Sequence, residues 1–131
     1  MRCSSDTMID ITDEIIMWAR DGIPELEGRV YRVYPQKNLT LKTYMTVTPN
    51  LHNPTLIEDG EEVIADLGWQ VQIVSKSPKS VDDVMNRVVS LYTAHNILLQ
   101  GMSPGYNPDY HAYTVLLSFT TTLDRRGTAY I

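Results

Sequence analysis

The sequence predicts an α+β fold, a mostly antiparallel sheet with two helices packed on one face and a protruding β-hairpin arm. Three stretches carry the prediction. "LGWQVQIVSKSP" alternates, with Leu67, Trp69, Val71 and Ile73 on one side and Gln70, Gln72 and Lys76 mainly on the other, the pattern of a half-buried strand. "SPKSVDDVMNRVVSLYTAHNIL" sets Val81, Val84, Met85, Val88, Leu91 and Tyr92 along one face of a helix and leaves Asp82, Asp83, Asn86, Arg87 and Ser90 on the other. "EDGEE" places a glycine turn between "TLI" and "VIADL", which reads as a hairpin. Strands with one apolar face need a helical layer to cover it, and that combination is a two-layer sandwich.

The remaining elements follow in chain order. "MIDITDEIIMWARDGIPEL" is a short helix with Thr12 as N-cap and Asp13 and Glu14 in its first turn, where the helix dipole favours acids. Ile11, Ile15, Ile16, Trp18 and Ala19 form its apolar stripe, and Gly22 and Pro24 end it. "RVYRVYPQ" is β-branched and aromatic, so residues 29–34 read as a strand closed by Pro35. Residues 41–49, "LKTYMTVTP", read as a second strand, again closed by proline. Ser80, with Asp83 three residues on, suits the start of the second helix. "MSPGYNPD" has the composition of a turn, and "YHAYTVLLSFTTTL" after it is a long last strand that alternates Tyr113, Val115, Leu117 and Phe119 with more polar neighbours. Residues 50–62 are the expected arm, and residues 124–131 a polar, flexible tail on one domain spanning 1–131.

Bulk properties narrow the function. The 131 residues suit one domain, and 43% hydrophobic with 21% charged residues is the balance of a folded globular chain. Eleven basic residues against sixteen acidic ones give a net charge of −5, which argues against specific nucleic-acid binding through a basic face. The lone Cys3 cannot form an internal disulfide, which fits a reducing compartment. No apolar run approaches the roughly 18–20 residues that span a bilayer, and the first residues lack a signal peptide's apolar core. A soluble protein made in a cytoplasm, with no membrane partner, is the expectation.

No catalytic signature emerges. Tyr106, Asp109, Tyr110, His111 and Tyr113 crowd one short stretch, and an Asp–His pair two positions apart could orient an imidazole as a base. The chain supplies no nucleophile elbow for it to serve, so the stretch reads as the approach to a strand. His52, His95 and His111 are not spaced as metal ligands, and His95 reads as a partly buried residue near the core face of the second helix. "EDGEE" lacks the ligand pattern of a calcium loop, and no glycine loop cradles a phosphate. No enzyme activity, metal or cofactor is expected.

The order of elements resembles the tail-terminator (tail-completion) family of long-tailed bacteriophages and its head-tail joining relatives. The resemblance rests on the N-terminal helix "MIDITDEIIMWA", the proline-ended strand "RVYRVYPQ", the strand-to-helix unit "WQVQIVSKSPKSVDDVMNRVVSLY" and the final strand "HAYTVLLSFTTTLD". Gln72 and Val74 stand where relatives often have aromatic or acidic residues, and of a common proline-tyrosine approach only Tyr44 is in place. The resemblance implies a virion tail component at the head-tail junction. It would be a homo-oligomeric, commonly hexameric, ring that caps the tail tube protein and faces the head-tail connector protein. Independently of the resemblance, exposure and composition select Leu51, Leu56 and Ile57 as apolar interface contacts. Glu58, Asp59, Arg125 and Arg126 are the matching charges that would set register. The competing expectations are a connector one layer above, a non-viral binding module that grips a basic partner through the acidic arm, and a small α+β enzyme.

Overall fold

The computed structural model describes residues 11–32, 42–59, 61–109 and 111–124. Two helices, α1 (Thr12–Gly22) and α2 (Pro78–Ala94), lie on a five-stranded sheet of β1 (Val30–Tyr31), β2 (Tyr44–Glu58), β3 (Glu61–Ser75), β4 (Leu98–Asn107) and β5 (Ala112–Asp124). The spatial order is β1-β2-β3-β5-β4. Every pairing is antiparallel except that of β1 with β2, so the α+β fold is as the alternation and helical periodicity predict.

The core forms where the apolar stripes meet. Met45 and Val47 of β2, Trp69, Val71 and Ile73 of β3, and Leu117 and Phe119 of β5 turn to one side of the sheet and are buried. Against them α1 presents Ile15, Ile16 and Ala19, and α2 presents Val81, Val84, Val88 and Tyr92, all buried. Tyr92 meets Phe119 edge-on with ring centroids 5.1 Å apart, and its hydroxyl donates to the carbonyl of Ile15 at 3.2 Å. That contact ties α2 to α1, and burial pushes the Tyr92 hydroxyl's pKa well above its usual value. The opposite face of the sheet carries no helix and is mixed: Gln70, Gln72, Thr114 and Ser118 alternate there with a small cluster of Tyr44, Val74 and Ala112.

Five local expectations give way to tertiary structure. Thr12 is the first residue of α1, after Ile11 at the cap position; its Oγ accepts from the Trp69 indole N–H at 3.0 Å, so the side chain is spent on the sheet and does not cap the helix. Ser77, not Ser80, caps α2, accepting from the Ser80 backbone N–H at 3.3 Å, with Pro78 in the first turn where its missing N–H costs nothing. Asp83 pairs with Lys79 one turn earlier. The first strand is two residues, parallel to β2, and its expected continuation through residues 33 and 34 lies outside the described residues. His95 sits past the end of α2, exposed, stacked flat on Trp18 at 3.8 Å between centroids, not on the core face.

The largest corrections concern the strands. Pro49 does not close β2, which runs on to Glu58 through register shifts at Pro49/Leu51 and Pro54/Leu56. Proline is tolerated on an edge strand and at bulges because no ladder donor is required there, and among the described residues no strand pairs with this stretch of β2 on its outer side. "SPGYNP" is likewise not a turn. Ser103–Asn107 form the second half of β4, which pairs with β5 from Leu98↔Thr120 to Asn107↔Ala112, and turn residues follow at Pro108, Asp109 and His111. Pro104 and Gly101 are again edge-strand residues, and Gly101 follows a register shift after Leu99.

Candidate functional site

Among the described residues the surface features with chemical character lie on the two edges of the sheet. The first is the β2–β3 hairpin. Leu51, Leu56 and Ile57 are 44%, 41% and 55% exposed, large values for aliphatic side chains. Glu58 and Asp59 are exposed at the turn, where Asp59 takes the left-handed backbone conformation with φ of 53°. The structure therefore brings all five of these candidate residues into one segment, apolar along its length and acidic at its tip. Arg125 and Arg126, the other two candidates, lie outside the described residues.

This segment is better supported than a free arm. Among the described residues β5 flanks β3 as far as Ile64↔Asp124, so residues 51–56 lie along a three-stranded extension, and Ile57 and Glu58, paired with Glu62 and Glu61, lie beyond it. Its root is built around Gly68. A Cβ at this position would lie 2.9 Å from both the Leu51 Cβ and the Asn50 Oδ1, so the absent side chain is what admits the register shift at Leu51. Beside the root, a cleft of about 340 Å³ opens between the start of α1 and β2, lined by Thr12, Pro49, Asn50, His52, Leu67 and Trp69.

The second feature lies where composition predicts a turn, and sequence reasoning misses it. β4 leaves Met102 and Tyr106 about half exposed and Leu99 at 36%, and Tyr113 of β5 joins them. Tyr106 and Tyr113 are directly opposite in the ladder with ring centroids 4.9 Å apart. The Tyr106 hydroxyl lies 3.3 Å from His111 Nδ1, and the Asn107 side chain accepts from the Asp109 N–H at 3.0 Å, closing the turn. His111 is thus held by a tyrosine on an exposed turn. The arrangement offers aromatic and apolar contact surface. Among the described residues no three His, Cys, Asp or Glu side chains gather as a metal site would require, and no helix is long and apolar enough to cross a membrane.

Comparison with known proteins adds one finding. No protein-family model matches the chain, and no curated protein matches it in sequence. Among solved structures, a chain from the virion of a native gene transfer agent particle superposes with a TM-score of 0.53, over 81% of this chain and 88% of that one, at 12% identity. The fold is one that a virion chain also adopts. The correspondence covers most of both chains, so it concerns the whole α+β arrangement and not one shared hairpin.

Proposed function

We propose that this chain is a structural protein of a phage-like virion, and within that class a tail terminator. Copies form a hexameric ring on the finished tail tube, one face matching the tube end and the other offered to the head connector, and the protein carries out no catalysis. The observation that carries the reading is the fold shared with a gene transfer agent virion chain over most of both lengths. Two further observations support it. The exposed apolar side chains sit on sheet edges, where neighbouring copies can meet. The element order also agrees with the terminator resemblance, from the N-terminal helix through the β3–α2 unit to the last strand.

Such a protein works by geometry. A ring that closes on itself fixes the number of copies, and a tube-like lower face with a different upper face stops further tube subunits from adding. The acidic tip at Glu58 and Asp59 favours one second reading, a connector or a binding module that grips a basic partner. Electron microscopy of lysates made with a stop codon in this gene separates the two. The terminator reading expects filled heads beside over-long, unattached tails, whereas unattached tails of normal length would favour the connector. Tails of normal length fixed to heads would overturn it.

A further inference from the structure

Of the eight large hydrophobic side chains left exposed among the described residues, seven fall in two groups. Leu51, Leu56 and Ile57 lie on the β2 edge, and Leu99, Met102, Tyr106 and Tyr113 on the β4 side. β2, capped by the two residues of β1, and β4 border opposite sides of the sheet. The ladder registers also fix which face each group uses, because directly paired residues point the same way. Leu99, Met102 and Pro104 pair with Phe119, Leu117 and Val115, so they continue the helix-covered face out past α2 as an uncovered shelf. Leu51 and Leu56 pair with Gly68 and Ile64, four residues apart on β3 and on the alternate side from Leu67 and Trp69. Their strip belongs to the helix-free face.

Opposite edges and opposite faces are the geometry of a lap joint. When one copy's β2 edge overlies the next copy's β4, the two apolar strips face each other while both sheets keep the same orientation. Were both strips on one face, a copy would have to turn over, and the contact would be a closed two-fold pair. Along the strands the β2 strip stands level with Gly68 to Ile64 of β3 and the shelf level with Trp69 to Ser75. A shift along the strand direction therefore lays Leu51–Ile57 over Leu99–Tyr106, and the acidic tip at Glu58 and Asp59 then reaches past the Leu99 end of the shelf. Pro104 and the register shift before Gly101 spoil the outward edge of β4 for strand addition, which leaves its side-chain face as the contact.

We propose that the β4 shelf is the acceptor for the β2–β3 hairpin of a second copy of this chain, a head-to-tail joint that repeats from copy to copy. This names the contact by which the ring of the preceding reading would close, and rests on that reading for its setting in a tail.

The test uses the full-length chain with Cys3→Ser and one new cysteine, Leu56→Cys in one preparation and Met102→Cys in the other, each checked by circular dichroism for an unchanged fold. A short bismaleimide is added to each alone and to their mixture. The mixture is expected to give cross-linked dimers several-fold above either variant alone, and a Leu56→Cys/Met102→Cys chain a ladder of higher multimers. Mixed dimers no more abundant than same-site dimers, or no cross-link at any concentration in purified protein and in lysate, would overturn the joint. The stop-codon lysates read the tail assignment separately. Cross-linking with normal tails keeps the joint and removes the terminator, whereas over-long tails without cross-links keep the terminator and remove the joint.

Discussion

Gly68→Ala tests whether the hairpin's position depends on a missing side chain. The new Cβ would stand 2.9 Å from the Leu51 Cβ, whereas carbon atoms rest at about 3.5–4.0 Å, so the two strands must part by about 0.6 Å or more. Asn50 can swing its Oδ1 aside, but a Cβ moves only with the backbone, and the third near neighbour, the Phe119 carbonyl oxygen at 3.4 Å, belongs to the β5 ladder. Overpacking of this kind costs about 1–3 kcal/mol. Alanine restricts the unfolded chain and returns about 0.4–1 kcal/mol, leaving a net loss of about 1–2 kcal/mol. For a chain of 131 residues that lowers Tm by roughly 3–10 °C. Urea unfolding of Gly68→Ala, Leu51→Gly and the double variant completes a cycle. The exchange of side chains between the two positions removes the collision, so the double variant should be more stable than the sum of the singles by about 1 kcal/mol or more. Additivity within about 0.5 kcal/mol would refute the steric account of the root.

Two buried hydroxyls give further predictions. Thr12→Val keeps the shape of a side chain only 1% exposed but deprives the Trp69 indole, itself 2% exposed, of its acceptor; stability should fall by about 1–3 kcal/mol in urea titrations followed by tryptophan fluorescence. Tyr92→Phe removes the hydrogen bond to the Ile15 carbonyl and should cost about 1 kcal/mol near neutral pH. Because burial raises the Tyr92 pKa above that of the unfolded chain, the folded state holds this proton more tightly. Its contribution is complete below the unfolded value of about 10 and is lost as pH rises past it, so wild-type stability should fall above about pH 10. The Tyr92→Phe variant should show a shallower alkaline fall in thermal melts, and an identical slope would show that another group is responsible.

The parts of the fold that sequence predicted well are those whose residues are chosen by one dominant force. The alternation through Trp69, Val71 and Ile73, and the stripe from Val81 to Tyr92, exist because one side of each element is buried, and burial selects for apolar side chains at a fixed period. The turn after Glu58 was legible because its backbone needs residues tolerant of unusual angles. Edge strands escape this logic. β4 is exposed along most of its length, so no burial pattern marks it, and Pro104, Gly101 and Gly105 give it the composition of a loop. The same blindness divided β2 at Pro49. Helix starts were misplaced for a different reason: Thr12 is claimed by Trp69 across 57 residues of sequence, a contact that no local pattern encodes. Of the candidate interface, the hairpin half could be read from exposed aliphatics beside an acidic turn. The β4 half required the ladder, since only the register with Val115, Leu117 and Phe119 shows which way its side chains face.

The most direct measurement is where the chain sits on a tail. Purified protein carrying a gold label at Asn86→Cys, an exposed position on α2 outside the proposed joint, in a Cys3→Ser background, is incubated with tail tubes from the stop-codon lysate and imaged. A tail terminator should label one end of each tube and nothing along its length, and labelled tubes should then join to filled heads. Label spread along the tube, or tubes left bare while heads still attach to them, would contradict the account.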